Sequence, residues 1–454
     1  MLLERSIPRR RKGVIGGVML LLIAFSTALF PRVFISLKIP SAINFLHFLV
    51  VPFVCGVILL KARPKDPKQI AITQDILLGL LLFLSVGFAS ALLNNAGAIN
   101  VILKFLLLGE PFLLLLAIIY VPMSLERFKF FRTWMNRFVF FHLFLVYAQY
   151  ALGFCKLEGL CDNVQGVFYR SGSGHVVGAS VSASFAIYYF LVMRENPLWQ
   201  RAAVAIAGFG NILTSDAKQV LVTLVVGFAI ISLSKIKEPG KLIAYLVSTI
   251  VFIAAFIWTV YNVEIEALRA FQTWVRPEIY GPNGEATLVK SSGIRIAIQH
   301  FHSPLNWLLG LGPGHTVDRL GGWMLKDYAE LLNPLGATRS TVAAETWSYM
   351  GRPEVVWVAA GSSFFAPFFG WAAIWGDLGF LGLGSYLYLC SIVWRRICIG
   401  DLPKFLMLTV MVHGFLFTQM EEPGYMLYIA SLIGLIWQGN RLHNETKSSR
   451  HCKL

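Results

Sequence analysis

Apolar and polar positions alternate along this chain in long blocks. Twelve predominantly apolar runs occur at about 14–34, 41–60, 75–94, 98–122, 134–154, 175–194, 200–214, 217–234, 241–261, 367–394, 402–420 and 424–438. A helix that crosses a bilayer needs ~20 mainly apolar residues, and most of these runs reach that length. The seventh and eighth are short and joined by a tight polar link at Thr214–Ala217. One long polar interval, 262–366, separates the ninth run from the tenth. The pattern predicts an all-α integral membrane protein of about 12 transmembrane helices with one large extracytoplasmic segment. It divides the chain into an N-terminal bundle (1–261), the large segment (262–366), C-terminal helices (367–438) and a cytoplasmic tail (439–454).

The loops orient this arrangement. With the N-terminus inside, the inner loops carry Lys61/Arg63/Lys65/Lys68, Arg127/Lys129/Arg132, Arg194/Arg201, Lys235/Lys237/Lys241 and Arg395/Arg396, and the tail adds Arg441, Lys447 and Arg450. The outer links Asn94–Gly97 and Glu421-Glu422-Pro423 have no Lys or Arg. That asymmetry is the positive-inside pattern. The first outer loop departs from it, with Arg32 and Lys38. The segment 262–366 is nearly neutral, with about eight Lys/Arg against about nine Asp/Glu. Within it, Leu320–Leu335 reads as an amphipathic helix lying on the membrane, with Trp323, Leu325, Tyr328, Leu331 and Leu332 on one side. No internal repeat is visible, which weighs against transporters built from two related halves.

Composition agrees: 14% charged, 56% hydrophobic and a mean hydropathy of +0.66, where soluble domains are roughly a quarter charged. The net charge of +15 does not point to nucleic acid, because the basic residues sit in short loops. Arg9-Arg10-Arg11-Lys12 precedes a run long enough to span, without a cleavage site of signal-peptide type. Six cysteines show no metal-binding spacing. Cys155 and Cys161 share one short loop and can pair if it faces an oxidising side.

Chemistry-bearing residues gather in the polar links. Phe168-Tyr169-Arg170-Ser-Gly-Ser-Gly174-His175 reads either as a phosphate grip, since a guanidinium fork matches phosphate oxygens and Gly lets backbone approach, or as an interfacial anchor. Asp216 and Lys218 lie between two half-length runs, which suggests either a broken helix lining a cavity or a surface hairpin. Ser292-Gly-Ile-Arg295 suggests a helix starting near Ser292, ending near Ser303-Pro304 and showing Arg295 and Gln299 on one face. The glycines of Trp307-Leu-Leu-Gly310-Leu-Gly312-Pro313-Gly314-His315 permit a tight turn, a weak phosphate-binding signal at Gly312 and Gly314. His315 or His300 is a candidate general base, and no carboxylate has helical spacing to make a metal site with the histidines. Glu110 and Lys104 fall inside the fourth run, where an ion pair within the bundle is the plain reading. Glu421 and Glu422 are candidates for an acceptor site.

Several of these pieces occur in the same order in the O-antigen polymerase/ligase-like family of bacterial membrane glycosyltransferases, which this chain resembles. They are Arg170-Ser-Gly-Ser-Gly, Leu213-Thr-Ser-Asp-Ala-Lys218, Ser-Gly-Ile-Arg295, Leu308-Leu-Gly-Leu-Gly-Pro-Gly314 and Gly370-Trp-Ala-Ala-Ile-Trp-Gly-Asp377-Leu-Gly379-Phe-Leu-Gly382. The resemblance covers about 160–390. It implies transfer of a glycan from a polyprenyl (undecaprenyl) diphosphate to an acceptor glycan, on the outer face of the inner membrane, without metal or other cofactor. Arg170 and Arg295 would engage the diphosphate. His175, Asp216, Lys218, Gly312, Gly314 and Glu421 would contribute to binding, and His315 to catalysis. Expected partners are the lipid bilayer, the lipid-linked donor and acceptor, a chain-length regulator and a flippase. The ligase branch has a His eleven residues before the first Gly of Gly379-x-x-Gly382; here that residue is Phe368, which cannot take a proton. Lys218 stands where Arg is common. Polymerisation is therefore the leading expectation, and glycan ligation or lipid-linked oligosaccharide flipping the alternatives.

Overall fold

The computed structural model of the chain describes residues 16–36, 38–155, 161–236, 239–263, 277–361 and 363–451. The Arg9–Lys12 stretch, Lys237 and residues 264–276 of the large segment lie outside the described residues.

Fourteen helices of ten residues or more are present among the described residues. They are α1 (Gly17–Leu29), α2 (Leu46–Lys61), α3 (Pro67–Asn94), α4 (Ala98–Tyr120), α5 (Leu125–Ala151), α6 (Gly174–Val192) and α7 (Leu198–Thr214). They continue with α8 (Lys218–Leu233), α9 (Pro239–Asn262), α10 (Glu285–Gln299), α11 (Thr341–Met350), α12 (Gly370–Ile392), α13 (Asp401–Leu416) and α14 (Pro423–His451). No strand occurs among the described residues. A helix occupies every one of the twelve apolar runs. Five helical stretches are long and apolar enough to cross a membrane: Ser41–Lys61, Pro67–Asn94, Ala98–Tyr120, Gly174–Val192 and Gly370–Ile397. Gly17–Leu29 and Lys218–Leu233 are shorter apolar helices.

Helix ends differ from the apolar runs where local capping overrides hydropathy. Helix α3 begins eight residues before its run because Asp66 accepts a bond from Lys68 N (2.9 Å) and Pro67 occupies the first turn, a good N-terminal combination. Ser124 caps α5 with Glu126 in its first turn, so the helix runs through Arg127, Lys129 and Arg132. Helix α10 starts at Glu285 and ends at Gln299, not at Ser292 and Ser303.

Helix α4 is the axis. It is mostly apolar and largely buried, and it packs on α14, α3 and α2. Its last carbonyls lack intrahelical partners. Side chains supply them: Gln69 Nε2 donates to Ile119 O (2.5 Å) and Gln438 Nε2 to Ile118 O (2.6 Å).

The loops sort into two ends. At one, the basic loops pair among themselves and with neighbouring acids: Arg132–Glu195 (2.7 Å), Arg396–Asp75 (2.8 Å), Lys235–Asp401, and Arg441 Nη2 to Met123 O (2.9 Å). At the other end the basic-poor links meet the large segment. Asn94 Nδ2 donates to Gly310 O (3.1 Å), and Asn100 Nδ2 to Pro313 O (2.9 Å). The described part of 262–366 is therefore docked onto the bundle. Leu320–Leu335 is not one surface helix. It breaks into short π, α and 3-10 pieces, and Leu320, Met324, Leu325 and Leu332 are buried against Leu103 and Leu107 of α4. Those side chains have the protein core to bury in, which removes the reason for a membrane-surface helix.

Candidate active-site cavity

Two glycine-dependent contacts fix the platform beneath the site. Helix α12 is broken at Gly379, whose φ of 64° and ψ of −163° are not helical. The freed carbonyls of Gly376 and Asp377 accept bonds from Leu311 N (2.8 Å) and Gly312 N (3.0 Å). A Cβ on Gly310 (φ 70°) would overlap the Asp377 backbone, and one on Gly379 would overlap Leu308. The Trp307–His315 motif is thus a clasp on a broken helix. Gly312 (φ 105°) and Gly314 (φ 73°) shape that clasp. His315 is buried in it, Nδ1 2.9 Å from Leu311 O and Nε2 2.9 Å from Thr338 Oγ1. Both ring nitrogens are hydrogen-bonded within the clasp, and His315, Gly312 and Gly314 do not line the cavity described below.

Beside the clasp, Lys104 of α4 is fully buried among three carboxylates: Asp318 (2.5 Å), Glu421 (2.8 Å) and Asp377 (3.2 Å). The carboxylates also accept bonds from the loop 314–321. Gly314 N (2.8 Å), Thr316 N (2.9 Å) and Thr316 Oγ1 (2.6 Å) donate to Asp377; Arg319 N (2.8 Å) donates to Glu421 and Gly321 N to Asp318. Burial, followed by the charge of Asp377, holds Asp318 well above the usual carboxylate range. Glu421 is fully buried and locks the loop to the bundle. Its neighbour Glu422, paired with Arg319, lines the cavity described next.

A cavity of about 940 Å³ opens next to this lock. It brings together Arg170, His175, Asp216 and Lys218 from the sequence-predicted set, all from links at the basic-poor end. Asp216 and Lys218 face each other at 2.5 Å. Arg170 (φ 61°) and Asp216 (φ 52°) are two of four non-glycine residues with left-handed backbone among the described residues. Such a conformation costs about 1–2 kcal/mol, a strain that concentrates at functional sites. Arg170 is exposed, rests over the Tyr169 ring (5.5 Å) and forms no ion pair among the described residues. His175 Nδ1 is buried without a partner among them. The Cys155–Cys161 disulfide closes the loop that leads to Arg170.

The cavity also gathers residues that sequence reasoning did not select. Arg32 lines it and donates to Arg170 O (3.2 Å); burial, then the charge of Arg319, lowers its pKa. Arg32 had a signal, since it broke the charge bias of the outer loops. Arg319 had none beyond lying next to Asp318. Trp323, Trp347 and Phe368 add an aromatic wall, with Trp347 and Phe368 centred 4.7 Å apart. Phe368 is thus a cavity residue.

Arg295 is not brought into the cavity lining. It folds along α10, with Nη2 donating to Leu288 O (2.8 Å) and to the Tyr349 hydroxyl (3.3 Å). Helix α10 lies behind α11, which supplies Trp347. His300 pairs with Glu345 of α11 (3.0 Å), also away from the cavity. Lys290, on the same helix, is half-buried and donates to the carbonyls of Leu416 (2.7 Å), Ala366 (2.9 Å) and Phe364 (3.0 Å). No group of three or more His, Cys, Asp or Glu suited to a metal occurs among the described residues.

No family model matches the chain, and no curated protein matches it.

Proposed function

We propose that this chain is a membrane glycosyltransferase of the polymerase type, joining oligosaccharide units carried on a polyprenyl diphosphate at the outer face of the bacterial inner membrane. The observation that carries this reading is the content of the cavity: Arg32, Arg170, Lys218 and Arg319 beside Trp323, Trp347 and Phe368. A departing diphosphate needs preorganised positive charge, which guanidinium groups supply. Sugar rings need flat apolar faces with polar groups nearby, and the aromatic wall offers the faces. A volume of about 940 Å³ lies near the upper end of ordinary ligand sites, in keeping with a glycan.

In this reading the basic end of the bundle, with both termini, is cytoplasmic and the cavity end extracytoplasmic. The Cys155–Cys161 disulfide at the cavity end fits an oxidising side. Phe368 favours polymerisation over ligation, because it provides no proton acceptor where the ligase branch has one. The test is in vesicles. Purified protein given a synthetic polyprenyl-diphosphate oligosaccharide is expected to lengthen the glycan and release polyprenyl diphosphate. Unchanged glycan length, with movement of the lipid between leaflets, would overturn the reading in favour of a flippase.

A further inference from the structure

One wall of the cavity is the first turn of α2, where His47 lies. Its Nδ1 is 2.7 Å from Glu110 Oε2 of α4, and both side chains are buried. The other carboxylate oxygen, Oε1, has no hydrogen-bond partner among the described residues. Glu110 accepting from Nδ1–H fixes the tautomer and leaves Nε2 as the basic nitrogen. With Nδ1 engaged, Nε2 is the atom His47 can offer to the cavity it lines. Arg32 and Arg319 line the same cavity as His47, so this pair shares the site with its cationic groups.

We infer that His47 is the proton acceptor of the transfer, and that Glu110 is its positioning residue. This rests on the glycosyltransferase reading above. The acceptor sugar hydroxyl attacks the anomeric carbon of the donor. Its oxygen forms the new C–O bond, and the bond from that carbon to the diphosphate oxygen breaks. The electron pair leaves on the diphosphate, among the arginines. The hydroxyl proton moves to His47 Nε2, and the imidazolium, held against the Glu110 carboxylate, later returns it to water. An imidazole backed by a carboxylate performs this service in acyl transfer. Arg32 and Arg319 meanwhile stabilise the negative charge that develops on the leaving diphosphate.

The test uses the full chain in vesicles with a synthetic polyprenyl-diphosphate oligosaccharide as donor and acceptor. His47→Ala is expected to lower kcat by about 10²-fold or more with the KM for donor little changed. Added imidazole is expected to restore at least a tenth of the lost rate, a recovery that a merely structural role would not give. Glu110→Gln is expected to lower kcat less and to make it insensitive to imidazole, since the ring is still present. Wild-type transfer with full activity in His47→Ala would overturn the base assignment and leave the functional reading standing. So would a loss in His47→Ala that imidazole does not touch and that donor KM follows. A wild-type protein that transfers nothing would overturn both.

Discussion

Replacing Lys104 by Met is the sharpest perturbation of the framework that presents the cavity. The ammonium contacts Asp318, Glu421 and Asp377 at 2.5, 2.8 and 3.2 Å, with every group buried. Methionine keeps most of the side-chain volume and removes the only Lys or Arg that pairs with these three carboxylates among the described residues. Stripping one partner from a buried ion pair costs about 3–5 kcal/mol, and here one cation serves three acids. The weak point is the loop 310–321, whose amides are held by those acids: Gly314 N and Thr316 N on Asp377, Arg319 N on Glu421.

A cost of 3–5 kcal/mol corresponds to roughly a hundred- to several-thousand-fold change in the opening equilibrium. Hydrogen exchange at those three amides reads that equilibrium directly. Lys104→Met is expected to speed their exchange by roughly a hundred-fold or more, while the interior amides of α6 stay protected. Adding Glu421→Gln to Lys104→Met removes one uncompensated carboxylate and is expected to recover part of the protection. Unchanged exchange at Gly314, Thr316 and Arg319 in Lys104→Met would refute the idea that this cluster holds the loop.

Three further expectations follow from particular contacts. Arg170→Ala is expected to abolish chain extension with normal membrane insertion, and Arg295→Ala to reduce it by less than about tenfold; equal loss in both would show that Arg295 reaches the substrate. Lys290 has its pKa pushed down by burial to about 7. The native state therefore binds fewer protons than the unfolded chain between about 7 and its ordinary value, and stability rises with pH across that window; thermal unfolding in detergent at pH 6.5 and 9 checks this, and Lys290→Met should flatten the slope. Gly310→Ala combines a left-handed φ of 70° with an overlap on the Asp377 backbone. Its cost should exceed the ~1–2 kcal/mol of the backbone strain alone, read as lost expression and early unfolding.

A helix stands at each of the twelve apolar runs, five of the stretches long and apolar enough to cross a membrane, because burial or lipid exposure of a long apolar run needs no tertiary information. Hydropathy could not see how far α3 and α5 extend, since caps at Asp66 and Ser124 carry helix into charged sequence. Nor could it see the break at Gly379, which depends on Gly310 and Gly312 arriving from elsewhere in the chain. The site divides the same way. Arg170, His175, Asp216 and Lys218 stood in short polar links beside apolar runs, and the fold brings those links to one cavity. Gly312, Gly314 and His315 fall in the clasp and outside the cavity lining, and a glycine-rich turn looks alike in sequence whether its amides face a phosphate or a broken helix. Glu421 and Glu422 are adjacent, and only the position of Lys104 decides which one is drawn into the lock and which one lines the cavity. Arg319 and the His47–Glu110 pair arise from contacts between distant segments, which no local pattern records.

The central claim, that this cavity extends a lipid-linked glycan, is tested most directly by the glycan profile of a deletion strain complemented with wild type or Arg170→Ala. The account predicts that deletion removes long chains and leaves single repeat units on the terminal acceptor or on the carrier. Wild type should restore long chains and Arg170→Ala should not. Long chains accumulating on the carrier lipid would mean a ligase. Precursors held on the cytoplasmic side would mean a flippase, and either result would contradict the account.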